Sequence, residues 1–178
     1  NVGSNVNLLT KNGDAPLSNI CSNINQYSHE CIRLLIKSGA NVNAHNDTMC
    51  TALMTLCENN GDHLLECVKL LVKSGADINL RDNENIACLS YLCDMNNDET
   101  IYNCAKLLIK YGVDLNSQSN DGRTALMAVC YKKYYKSIEL FISAGADINL
   151  QDAEGNTALH WFCNNENLST ANMDILTM

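Results

Sequence analysis

Proline is almost absent from this sequence, one residue in 178, and glycine is held to nine, which excludes collagen-like and proline-rich linker organisations. Positive charge is short as well. Twelve lysines and arginines stand against 20 aspartates and glutamates, giving a net charge of −8 and a pI near 4.8. Such a chain gains nothing from releasing counterions off a phosphate backbone, so no nucleic acid is expected as partner. No apolar run approaches the ~18 residues that cross a bilayer, and the first residues lack the pattern of a secretory leader, so no membrane partner is expected either. What remains is 46% hydrophobic and 18% charged, too apolar for disorder and long enough for one domain or one run of repeats.

Cysteine is plentiful, with ten residues, and its positions expose the organisation of the chain. Cys21, Cys57, Cys93, Cys130 and Cys163 recur at steps of 36, 36, 37 and 33. Cys31, Cys67 and Cys104 keep the same step, with Ser137 in the fourth place. The segments IRLLIKSGANVN (32–43), VKLLVKSGADIN (68–79), AKLLIKYGVDLN (105–116) and IELFISAGADIN (138–149) align without gaps. Eight residues after each closing asparagine stands a second signature: TALM at 51–54, ACLS at 87–90, TALM at 124–127 and TALH at 157–160, with APLS at 15–18 ahead of them. Leu53, Leu56 and Cys57, like Leu126, Val129 and Cys130, fall at the i, i+3, i+4 spacing of one helical face. Each block therefore reads as a helix, a turn, a second helix and a protruding finger. Gly39, Gly75, Gly112 and Gly145 sit where a left-handed residue closes the second helix.

This pattern resembles the ankyrin-repeat family, whose T-P-L-H start, paired antiparallel helices and G-A-D-V-N close are legible in every block. The resemblance covers essentially the whole chain and implies an all-α solenoid of stacked helix-turn-helix units with β-turn fingers. On that reading 1–178 is a single array: the end of a preceding unit at 1–9, units at about 10–45, 46–81, 82–118 and 119–151, and a partial unit at 152–178 with the start of an outer helix near Met173–Leu176. The earlier units carry three or four extra residues, placed between the two helices. The family proline survives only as Pro16, and the finger glycine is replaced by Met49 and Asn85, which leaves the shape of those two fingers open. Asparagine richness, at 26 residues, resembles the divergent arrays of large DNA viruses, intracellular bacteria and protists, which implies a host protein as one candidate partner.

Within such an array the cysteines read as small core residues. A disulfide ladder and a metal site are the alternatives. Stacked helices lie ~8–10 Å apart, beyond the ~7 Å Cα reach of a disulfide, and no CxxC or zinc-spaced Cys/His set occurs. Many unpaired thiols imply a reducing compartment, cytoplasmic or nuclear. The four histidines occupy unrelated places in the unit, and no nucleophile elbow, phosphate loop or H-E-x-x-H appears, so no enzymatic activity, cofactor or metal is expected.

The resemblance implies instead a protein–protein interaction scaffold that binds on the concave surface of fingers and inner helices, as a monomer. The candidate partner-binding residues are His45, Asp47, Arg81, Asn83, Glu84, Gln118, Asp121, Arg123, Gln151, Glu154 and Asn156 on the fingers, with Tyr131, Lys132 and Trp161 on the inner helices. They vary between units while the framework does not. The inner-helix ends add Glu58, Asp94, Asn164 and Asn165. The run Tyr131–Lys136, with three tyrosines and three lysines, reads either as a binding hot spot or as a turn whose aromatics pack locally. The alternative function is an architectural spacer or regulatory arm for domains outside these residues.

Overall fold

A computed structural model describes residues 5–59, 61 and 63–164. The outer-helix start expected near Met173–Leu176, and Asn165, lie outside the described residues. Nine helices are described: α1 (Pro16–Cys21), α2 (Ser28–Lys37), α3 (Ala52–Glu58), α4 (Leu64–Lys73), α5 (Cys88–Cys93), α6 (Asp98–Lys110), α7 (Ala125–Tyr131), α8 (Tyr135–Ser143) and α9 (Ala158–Cys163). The odd-numbered helices stack on one another as an inner layer and the even-numbered ones as an outer layer. Among the described residues extended pairing is confined to two isolated bridges, His45–Thr51 and Arg81–Ala87, so the array is all-α.

Four of the five described inner helices, α1, α3, α7 and α9, start by satisfying orphan backbone donors. Thr51 and Thr124 accept the amide N–H groups of Met54 and Met127 at 3.3 Å. The fourth residue of the motif answers the N-cap amide in turn: Ser18 Oγ accepts from Ala15, Met54 Sδ from Thr51, Met127 Sδ from Thr124 and His160 Nδ1 from Thr157. The position demands an acceptor rather than a histidine, which is why the signature tolerates serine and methionine here. The core runs unbroken between the layers. Leu17, Leu53, Leu89 and Leu126 are buried in one row, and Cys21, Cys57, Cys93 and Cys130 in the next. All ten cysteines are free thiols, and Cys67, Cys88 and Cys104 are also buried. The place that Cys67 and Cys104 hold is taken at Ser137 by a buried hydroxyl that donates to the Asp98 carboxylate. The extra residues of the third block do more than widen a loop. They lengthen α6 at its start, where Asn97 caps the Thr100 amide at 3.1 Å.

The close of each outer helix explains the glycine–aspartate–asparagine signature. Gly39, Gly75, Gly112 and Gly145 have φ between 84° and 94° with no atom near a would-be Cβ, so backbone conformation alone selects glycine. Asp77, Asp114 and Asp147 each accept the amide of the asparagine two residues on, at 2.9–3.0 Å. That turn aims the asparagine at the following block. Asn43 donates to Gly75 O and accepts from Asp77 N; Asn79 does the same with Gly112 O and Asp114 N; Asn116 accepts from Asp147 N. These asparagines therefore hold neighbouring blocks together.

Five fingers project ahead of the inner helices, turning at residues 10–13, 46–49, 82–85, 119–122 and 152–155. Each is closed by a hydrogen bond from its last amide to its first carbonyl, with the last residue at positive φ. Met49 (φ 65°) and Asn85 (φ 63°) keep the same turn as Gly13, Gly122 and Gly155, so the two fingers left open by the sequence are regular. Asn85 compensates by donating to Gln118 O at 2.7 Å, whereas no side-chain bond offsets the strain at Met49. A non-glycine residue pays about 1–2 kcal/mol in this region, and glycine loses about 0.5–1 kcal/mol to chain entropy. Met49→Gly is expected to raise the unfolding free energy by about 0.5–1 kcal/mol and Asn85→Gly to give no gain, as read from urea midpoints.

Candidate functional site

The surface beside the fingers is built from three rows of repeat-equivalent positions. The residue just after each finger turn gives Asp14, Cys50, Ile86, Arg123 and Asn156; the fourth residue of each inner helix gives Asn19, Thr55, Tyr91, Ala128 and Trp161; the helix ends give Ser22, Glu58, Asp94, Tyr131 and Asn164. The fingertips are tied to one another by one backbone bond per step: Asp47 N to Asn12 O, Asn83 N to Thr48 O, Asn120 N to Glu84 O and Ala153 N to Asp121 O.

Two aromatic residues of the middle row are braced against the fingers. The Tyr91 hydroxyl donates to the Asp82 carboxylate, and Trp161 Nε1 donates to Asp152 Oδ2 at 2.8 Å. The other oxygen of each carboxylate accepts two amides of its own finger turn. Burial and the bond to Asp82 push the Tyr91 hydroxyl well above the ordinary tyrosine range. Desolvation would raise Asp152, but the hydrogen bonds from Asn156 and Trp161 outweigh it and hold the carboxyl below its usual range. Between these braced rings stands the small Ala128, which lines a cavity of about 890 Å³. Ile86, Met127 and Ala128 supply apolar lining, Trp161 and Tyr131 aromatic walls, and Glu84, Asp94, Asp121, Arg123 and Lys132 the charged groups.

Seven of the residues read from the sequence thus meet in one place: Glu84, Asp94, Asp121, Arg123, Tyr131, Lys132 and Trp161. The Arg123 guanidinium lies 4.7 Å from the centre of the Trp161 ring, and Tyr131 meets that ring edge-on at 5.7 Å. Lys132 is turned inward, donating from Nζ to the carbonyls of Asp94 and Met95, and burial lowers its pKa. Desolvation raises Asp94, against the opposing pull of Lys132 and Arg123. The rest of the tyrosine–lysine run braces neighbouring blocks: Tyr135 packs edge-on against Phe162 and Lys136 pairs with Glu99.

The remaining candidates lie elsewhere on the fingers. Arg81, Gln118 and Gln151 share a second concavity of about 460 Å³; Arg81 pairs with Asp114 at 3.2 Å, Gln118 donates to Gly122 O and Gln151 O, and Gln151 to Gly155 O. His45 lines a third concavity beside Asn7 and Leu9. Asn83 donates to Asp47 O and Asn156 to Asp152, while the Asp47 and Glu154 side chains are exposed. Ile86 and Ala128 were not picked out as site residues by sequence reasoning, nor was the bracing by Asp82 and Asp152. A nine-residue interval from finger aspartate to helix aromatic, at 82/91 and 152/161, carried that signal.

A family model described as ankyrin repeats (3 copies) matches residues 2–82 and 79–152. The chain belongs to the ankyrin-repeat family. Ankyrin repeats are generally protein–protein interaction modules. No curated protein matches the sequence. Within the helices of this ankyrin array, basic side chains are carried by the outer layer alone. Arg33, Lys37, Lys69, Lys73, Lys106, Lys110 and Lys136 lie on the outer helices, whereas α1, α3, α5, α7 and α9 contain no lysine or arginine. Among the described residues no helix is long and apolar enough to cross a membrane, and no three histidine, cysteine or acidic side chains are grouped to hold a metal ion.

Proposed function

We propose that this array is a non-catalytic interaction module that holds a partner protein on the face formed by fingers and inner helices, centred on the cavity over Ala128. The observation that carries the reading is the contrast within each block. Leucine, cysteine and asparagine recur in the framework, while the three exposed rows change at almost every step and converge on a concavity with aromatic walls. Buried free thiols support a reducing compartment, and the module is taken to act as a monomer.

Ala128→Trp tests this directly. The equivalent positions already hold Tyr91 and Trp161, so the larger ring fits the framework while intruding on the cavity. Partner capture is expected to fall at least about tenfold, or 1.4 kcal/mol, with the thermal midpoint unchanged. An exposed outer-helix variant, Lys69→Glu, is expected to leave capture intact. A spacer would be indifferent to both, and an unaltered Ala128→Trp variant would refute the reading.

A further inference from the structure

We propose that the cavity over Ala128 receives a lysine or arginine side chain from a basic segment of the partner protein. This deepens the concave-face reading and rests on it. The apolar lining of Ile86, Met127 and Ala128 suits an alkyl stem, and the carboxylates of Glu84, Asp94 and Asp121 suit a cationic head. Among the described residues none of these three carboxylates has a hydrogen bond or ion pair, so each retains its full acceptor capacity. The two cations nearby are differently placed. Lys132 is spent on the carbonyls of Asp94 and Met95, and Arg123 is laid flat on Trp161, where it forms a wall. An anionic guest would meet one available guanidinium against three carboxylates, which favours a cation. Desolvation already disfavours the charged form of Asp94, and an entering ammonium or guanidinium relieves that penalty. The same preference extends beyond the cavity, because Glu58 and Asp14 continue the acidic character along the rows and no inner helix carries a lysine or arginine within its span.

Trp161, the chain's single tryptophan, lies in the cavity wall and reports occupancy by its own fluorescence. The probes are a short peptide of alternating lysine and alanine and its glutamate counterpart. The lysine peptide is expected to shift Trp161 emission saturably, and Glu84→Gln with Asp121→Asn to weaken it about tenfold. Glu66→Gln, exposed on α4, changes the net charge alone and is expected to have no comparable effect. A shift with the glutamate peptide instead, or equal weakening by Glu66→Gln, overturns the proposal. If neither peptide shifts the emission while Ala128→Trp still abolishes partner capture, the cationic guest is refuted and the concave-face reading stands. If Ala128→Trp leaves capture intact, that broader reading fails.

Discussion

Above pH 9 this protein is expected to lose stability steeply. Burial pushes the thiols of Cys21, Cys104 and Cys130 up to about 12 and that of Cys67 up to about 11, from an ordinary 9.0. Cys57, through its neighbour Cys88 and its burial, and Cys93, through burial, lie well above it too. The unfolded chain releases these protons near pH 9, whereas the native chain keeps them. The native state's advantage is therefore complete below that pH and disappears as pH rises through the native values. Each thiol contributes a slope of about −1.4 kcal/mol per pH unit in that window. Several together rival the ~5–15 kcal/mol that holds a typical domain folded. Urea midpoints followed by circular dichroism should be nearly independent of the thiols below pH 8 and fall sharply by pH 10. Cys130→Ala should flatten the slope by one thiol's share. A flat profile to pH 11 would mean that these sulfurs are not packed as described.

Leu92→Ala is expected to cost about 3–5 kcal/mol, the upper part of the range for emptying a leucine site, because Leu92 is 0% exposed between stacked helices. Position matters as much as burial. In a linear array each block touches only its neighbours, so a cavity in α5 weakens the coupling between the two halves. Trp161 sits in the last described helix and reports the far half alone. In Leu92→Ala its fluorescence transition should separate from the helical signal, whereas in Leu17→Ala, at the first helix, the main transition should stay single and only the early baseline should slope. Coincident transitions in Leu92→Ala would show that coupling runs by another route.

The architecture was legible because a repeat writes the same physics several times. One leucine–leucine–cysteine face could belong to many folds; several at a common step could not. The left-handed glycines were legible for the same reason. Less visible was what the exceptions do. The substitution of Met49 and Asn85 for glycine left finger shape undecided, since turn geometry depends on neighbouring fingers that are distant in sequence. The site was only partly readable. Arg123, Tyr131 and Trp161 stood out by composition, but the cavity they line also runs over the small Ala128, and a short side chain leaves no mark among conspicuous residues. Lys132 shows the opposite error: it looks available in the sequence and is committed to the carbonyls of another block.

The asparagine links have a consequence for how such a chain changes over generations. Every described link runs in one sense, from the side chain of one block into the glycine–aspartate turn of the next, so each module carries a matching plug and socket. The added residues that distinguish the blocks lie between the helices or in the first turn of the outer one, away from both connectors. Modules of unequal length are thus mechanically interchangeable, and duplication or loss of one leaves a working joint behind while shifting every exposed row by a single step.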